Sequence, residues 1–128
     1  MTAPWNPSPS EGMTLLHSQA VFESLIGRGE NPDEKCPELC IVYFTARWCG
    51  ACKKLDLSRL VGSYPLAAWF KCDIDANDYT PGFCGVRSIP AFLLIRNKKI
   101  IGQLANSNTE TVLEWIHKTL AEDQEKSK

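Results

Sequence analysis

An α/β fold is predicted for this chain of 128 residues, with a central mixed sheet flanked by helices and elements in the order βαβαβαββα. Three observations carry that expectation. Cys40-Ile41-Val42-Tyr43-Phe44-Thr45 is an uncharged, β-branched and aromatic run, as a strand covered on both faces requires. It leads into Cys49-Gly50-Ala51-Cys52, where a strand meets a helix with two thiols at the junction. That junction lies at the carboxyl edge of an open sheet, where α/β proteins hold their sites. Far along the chain, Ser88-Ile89-Pro90 precedes the apolar run Phe92-Leu93-Leu94-Ile95, and a proline fits at the start of a strand because only one ladder donor is lost there.

The remaining elements follow from local chemistry. Residues 1–12 hold Pro4, Pro7 and Pro9 with Ser8 and Ser10, the composition of a flexible N-terminal arm; Pro4 to Pro7 matches PxxP only as linkers often do. A single domain spans residues 13–120. Met13 to Leu16 opens it as a short strand, and Ser18 caps a helix whose Val21, Phe22, Leu25 and Ile26 share one side, with Gly27 ending it. Gly29 to Pro37 is a polar loop. A helix runs from the cysteines to about Val61, and Ala67 to Ile74 is the next strand. Asp78, Pro81 and Gly82 keep any helix after it brief. Ala91–Arg96 and Lys99–Leu104 form a hairpin across Asn97-Lys98. Ser107-Asn108-Thr109-Glu110 has capping-box spacing and opens a last helix that buries Val112, Leu113, Ile116 and Leu120. Residues 121–128 are charged and are expected to fray.

A formal charge of −1 gives no reason to expect nucleic-acid or anionic-membrane binding. No apolar run is long enough to span a bilayer, and the first residues lack a hydrophobic signal region. A monomer in the cytoplasm is expected, with an organelle left open. A reducing compartment would keep the other four of the six cysteines as thiols.

Two thiols three positions apart at a helix start can pair, and the helix dipole together with Lys53 and Lys54 favours a thiolate there. Cys49, nearer the helix start and expected to be the more exposed, would attack a substrate disulfide. Cys52, better shielded, would then attack the Cys49 sulfur and release reduced substrate. Coincidence or a structural metal pair is the plain alternative. Cys36 and Cys40 with Cys49 and Cys52 put four thiols in a short span, yet Cys40 begins the strand that Cys49 follows, too far to share one zinc tetrahedron, so neither metal nor cofactor is implied. Cys72 is expected to be a buried apolar residue, and Cys84 an idle thiol or a regulatory one beside the site. Trp48 either shields the pair and offers a flat apolar contact or fills the core.

Ile41 through Lys53, with Trp48-Cys49-Gly50-Ala51-Cys52 inside it, resembles the active-site block of the thioredoxin family in register. Lys71-Cys72-Asp73-Ile74-Asp75 is similar to that family's next strand, and Cys84-Gly85-Val86-Arg87-Ser88-Ile89-Pro90 to the segment carrying its cis-proline, over roughly residues 12–120 in all. The resemblance implies a thioredoxin fold and a cis Ile89–Pro90 bond facing the cysteines. It also implies that the Ile89 backbone pairs with an extended substrate.

Departures from the family pattern bear on activity. Tyr43 stands where the family usually buries an aspartate thought to take the proton of the second cysteine, and a phenol with a pKa of ~10 cannot do so near neutral pH. Lys71 matches the lysine that accompanies that acid, so it would need another partner or would snorkel outward. Ala51 replaces a proline between the cysteines, which the family's behaviour implies makes the couple less reducing. Leu57 stands near a helix-kinking proline, Ala105-Asn106 replaces a groove glycine, and the segment before Lys71 is short, all of which bear on binding to the usual thioredoxin reductase. The function expected is thiol–disulfide exchange that reduces protein disulfides through a reversible Cys49–Cys52 pair. Its partners would be disulfide-containing proteins and an upstream thiol reductant or reductase. The alternative is a redox-weak protein-binding module on the same fold.

Overall fold

A computed structural model of the chain describes residues 12–29 and 36–126. The proline-rich arm before Gly12, the middle of the Gly29–Pro37 loop and the last two residues lie outside the described residues. The elements are β1 (Thr14–Leu15), α1 (Gln19–Leu25), β2 (Leu39–Thr45), α2 (Leu57–Ser63), β3 (Ala68–Asp73), α3 (Tyr79–Cys84), β4 (Ala91–Arg96), β5 (Lys99–Ala105) and α4 (Thr109–Lys126). Their order is the one expected from the sequence.

The five strands form one sheet in the order β1-β3-β2-β4-β5. β1, β3 and β2 are parallel, while β4 and β5 complete the sheet antiparallel. β2 is therefore central, and its period-2 alternation divides its side chains between two cores. Ile41 and Tyr43 pack with Leu60 of α2 and with Val112 and Ile116 of α4. Cys40, Val42 and Phe44 pack with Phe22 and Leu25 of α1 on the other face. Both faces of β2 are covered, which is why its sequence carries no charge.

Local signals set most boundaries. Ser18 Oγ accepts from the Val21 amide and starts α1, and Gly27 at φ +73 lets the chain leave it. Asn97 and Lys98, at φ 50 and 68, make the two-residue β4–β5 turn, whose left-handed backbone matches the strand twist. Gly102 of β5 is required by packing: a Cβ there would meet Thr119 Cγ2 at 2.9 Å and the Trp115 ring at 3.2 Å, so α4 lies directly against the strand.

Two boundaries differ from expectation. The helix expected from the cysteines to Val61 is interrupted. A 3₁₀ turn spans Ala51–Lys54, Leu55 is extended at φ −78 and ψ 140, and α2 begins only at Leu57. Leu55 is drawn into the core, and Asp56 restarts the helix by accepting from the Arg59 amide at 3.1 Å. The Asp56 amide is satisfied by Thr109 Oγ1 at 3.0 Å, and Arg59 pairs with Glu110, so the break is fastened to the start of α4. A proline is thus not needed at Leu57 to bend the chain. At α4 the cap is Asn108, whose Oδ1 accepts from the Thr111 amide at 2.9 Å, one residue later than Ser107-led spacing implied. Finally, α4 is helical through Lys126, into the charged segment after Leu120, with Lys118–Glu122 as an i,i+4 ion pair.

Candidate active site

β2 ends at Thr45, and the chain turns over the sheet edge through Ala46, Arg47 and Trp48 to Cys49. The Cys49 amide donates to the Ala46 carbonyl at 3.1 Å, which fixes that turn. Cys49 and Cys52 are joined by a disulfide with Cα atoms 5.4 Å apart. The Cys52 amide donates to Cys49 Sγ at 3.1 Å. An N–H aimed at one sulfur stabilises negative charge there, so it lowers the cost of a Cys49 thiolate relative to Cys52. Exposure does not rank the two as expected: Cys49 is 4% and Cys52 6% exposed. With only a four-residue 3₁₀ turn after Gly50, local amides replace a long helix dipole as the source of positive potential.

Phe44 pairs with Ala91 across the antiparallel β2–β4 ladder, so the segment before β4 reaches the same edge as the cysteines. The Ile89–Pro90 peptide bond is cis, and the Pro90 carbonyl accepts from the Asn106 amide at 3.1 Å. Ile89 packs against the same apolar cluster as Cys49 and Cys52. The edge therefore brings together the disulfide, Gly50, Ala51 and the cis-proline segment.

Trp48 is 66% exposed, which excludes core filling, and its Nε1 donates to Asp75 Oδ2 at 2.9 Å. Asp75 is a site neighbour that sequence reasoning did not select; no local signal links it to a tryptophan 27 positions earlier.

Tyr43 is buried beneath the cysteines, stacked on Phe92 at 5.3 Å, and its hydroxyl donates to buried Thr45 Oγ1 at 3.2 Å. Thr45 was also missed, although two-residue alternation places it on the face of Tyr43. An open hollow of ≈ 400 Å³ at this edge is lined by Tyr43, Thr45, Arg47, Cys49, Cys52 and Lys53 among others. Among the described residues no carboxylate lines it. Lys71 is half-buried and lies beside Tyr43 in the β2–β3 register.

The other cysteines are of a different kind. Among the described residues no group of three or more His, Cys, Asp or Glu is arranged to hold a metal ion. Cys36 donates to the Ser24 carbonyl at 3.3 Å. Cys40 and Cys72 lie in the α1-side core, and burial pushes both thiols up to about 12. Cys84 closes α3 half-buried against the same core, on the sheet face opposite the disulfide, and burial pushes it up to about 11. All three hold their protons more tightly folded than unfolded, where a cysteine titrates at ~8.5. Their stabilising contribution is complete below that value and is lost as pH rises towards 11–12. Denaturant midpoints of the folded protein should fall steadily above about pH 9. Haloacetamide at pH 7.5 should label Cys49 of the reduced protein well before Cys40, Cys72 or Cys84, as peptide mapping would show.

A disulfide-forming Cys-x-x-Cys at the carboxyl edge of a mixed five-stranded sheet defines a thiol–disulfide oxidoreductase. The Thioredoxin family profile matches residues 17–118, and the chain belongs to the thioredoxin family. It is 34% identical over 98 residues to "Thioredoxin-3, mitochondrial" of Saccharomyces cerevisiae, covering 75% of this chain and 71% of that protein. With "Thioredoxin" of Haemophilus influenzae it shares 32% over 103 residues, covering 77% and 90% of the two chains. The crystal structure of oxidised mitochondrial thioredoxin 3 from S. cerevisiae superposes with a TM-score of 0.70 at 27% identity, covering 83% of this chain and 94% of that one. The thioredoxin of Trypanosoma brucei brucei, at 22% identity and a TM-score of 0.73 over 91% of this chain and 94% of its own, matches in fold.

Proposed function

We propose that this chain is a protein-disulfide reductase in which Cys49 is the attacking thiolate and Cys52 the resolving thiol. The observation that carries the assignment of roles is the Cys52 amide on Cys49 Sγ, which favours charge on Cys49. Cys49 thiolate displaces one sulfur of the substrate disulfide and forms a mixed disulfide. Cys52 then loses its proton and attacks Cys49, releasing the second substrate thiol and leaving the pair oxidised. Trp48 provides an exposed apolar surface beside the sulfurs, and the Ile89 backbone, held by the cis bond to Pro90, aligns an extended substrate. Gly50 and Ala51 set the spacing between the thiols. The substrates are proteins bearing accessible disulfides, and an upstream thiol reductant or reductase restores the dithiol of what acts as a monomer.

Among the described residues no helix is long and apolar enough to cross a membrane. The relative named for the mitochondrion supports an organellar site of action beside the cytoplasmic one, and cell fractionation separates the two.

Equilibration in defined thiol–disulfide buffers, followed by alkylation and mass mapping, tests the proposal. The expected result is a reversible Cys49–Cys52 couple with a potential somewhat above the roughly −270 mV of thioredoxin, because Ala51 stands between the cysteines. A value close to about −120 mV would make the protein an oxidant instead.

A further inference from the structure

The hollow beside the disulfide carries a charge bias that the net charge of the chain hides. Arg47 and Lys53 line it from either side of the cysteines, both exposed, with no carboxylate of the described residues in its wall. Neither cation takes part in an ion pair among the described residues. The carboxylates nearest this edge of the sheet, Asp56, Asp73 and Asp75, keep their charge but lie outside the lining of the hollow. Asp75 accepts from Trp48 Nε1, Asp73 Oδ1 accepts from the Asp75 amide, and Asp56 Oδ1 caps α2. Lys54, next to Lys53, and Arg87, just before Ser88-Ile89-Pro90, are exposed as well. In a chain with a formal charge of −1, the lining of this hollow holds two cations, Arg47 and Lys53, and among the described residues no anion.

We propose that this basic hollow selects the substrate: the enzyme prefers disulfides lying in acidic peptide segments, whose carboxylates sit against Arg47 and Lys53 while Cys49 attacks. The proposal rests on the reductase function given above and names its substrate class. Opposite charge raises the encounter rate and the occupancy of the attack position, and both effects are screened by salt. Electron flow is unchanged. The Cys49–substrate bond forms as the substrate S–S bond breaks, the departing thiolate takes a proton from solvent, and the Cys49–Cys52 disulfide forms as the second thiol leaves. Two electrons pass from the cysteine pair to the substrate, and dithiothreitol returns them in the assay.

The test uses three synthetic peptides, each with one intramolecular disulfide flanked on both sides by Glu, Gln or Lys. Their kcat/KM values are measured with dithiothreitol as reductant at low and high ionic strength. At low salt the Glu peptide should exceed the Gln peptide by about tenfold and the Lys peptide by more, with the ratios collapsing near 0.5 M salt, on the order expected for steering by a few exposed charges. The double variant Arg47→Gln/Lys53→Gln should bring the Glu-to-Gln ratio close to one. Lys118→Gln, on the exposed side of α4 away from the site, should leave that ratio as it was. Because a changed Cys49 thiolate population scales all three peptides together, the ratio isolates substrate reading from thiol activation. Equal values for the three peptides, a ratio that survives the double variant, or an equal loss in Lys118→Gln each overturns the charge selection. If none of the three peptides is reduced, the reductase function itself fails.

Discussion

Cys49→Ser should reduce disulfide turnover to the buffer background, while Cys52→Ser should accumulate a covalent adduct with substrate through Cys49. Removing a covalent nucleophile costs on the order of 10³-fold or more, so the first variant tests the whole enzyme assignment. The second tests the order of events. The Cys52 amide that donates to Cys49 Sγ is backbone, so Cys52→Ser retains the group favouring charge on Cys49 and loses only the resolving sulfur. A mixed disulfide on Cys52→Ser that is absent from Cys49→Ser, read by intact mass, is the expected pattern. The reverse pattern would exchange the two roles. A Cys49→Ser protein that captures the same partners non-covalently, from a wild type without turnover, would instead describe a binding module. Serine is nearly isosteric with cysteine, so neither variant should change the fold through packing.

The sheet was legible because its signals are local and redundant. The uncharged β2 run, the Pro90 before β4 and the Asn97-Lys98 turn each specify one element without reference to the others. The disulfide was equally legible, since three-residue spacing at a strand–helix junction needs no tertiary information. What the sequence concealed depends on contacts far apart in the chain. The break at Leu55 is fixed by Thr109 receiving the Asp56 amide 53 residues away, and nothing near Asp56 announces that partner. The same holds for Asp75 beneath Trp48. The slip of the α4 cap from Ser107 to Asn108 has another origin: both side chains offer an acceptor, and only the Asn106 carboxamide, which accepts from the Asn108 amide at 2.8 Å, sets the entry of the chain. Cys49 is buried where its position at a helix start implies exposure, because exposure follows from the turn over the sheet edge rather than from position along a helix.

Tyr43→Asp should accelerate resolution of the mixed disulfide by about 10–10²-fold near neutral pH, at or below the low end of what a positioned general base supplies. Cys52 must lose a proton before it attacks, and among the described residues no carboxylate lines the hollow beside it. The phenol of Tyr43 is committed as a donor to Thr45 Oγ1. In the wild type the proton must therefore pass to solvent, and resolution should quicken with pH as hydroxide and the Cys52 thiolate become more abundant. An aspartate at position 43 would take the proton directly and flatten that dependence over the range in which its carboxylate is ionised. The gain has a structural cost. The Tyr43 ring is buried and stacked on Phe92, so the variant should lose roughly 3–5 kcal/mol of stability, as other truncations of buried aromatics do. Tyr43→Phe separates the two effects, because it keeps the ring and removes only the hydroxyl bond to Thr45, worth about 1 kcal/mol. Its resolution rate and pH profile should match the wild type. Single-turnover decay of a preformed Cys49 mixed disulfide, followed from pH 6 to 9 in all three proteins, decides the point. Coincident profiles for the wild type and a folded Tyr43→Asp protein would show that proton removal from Cys52 does not limit this enzyme.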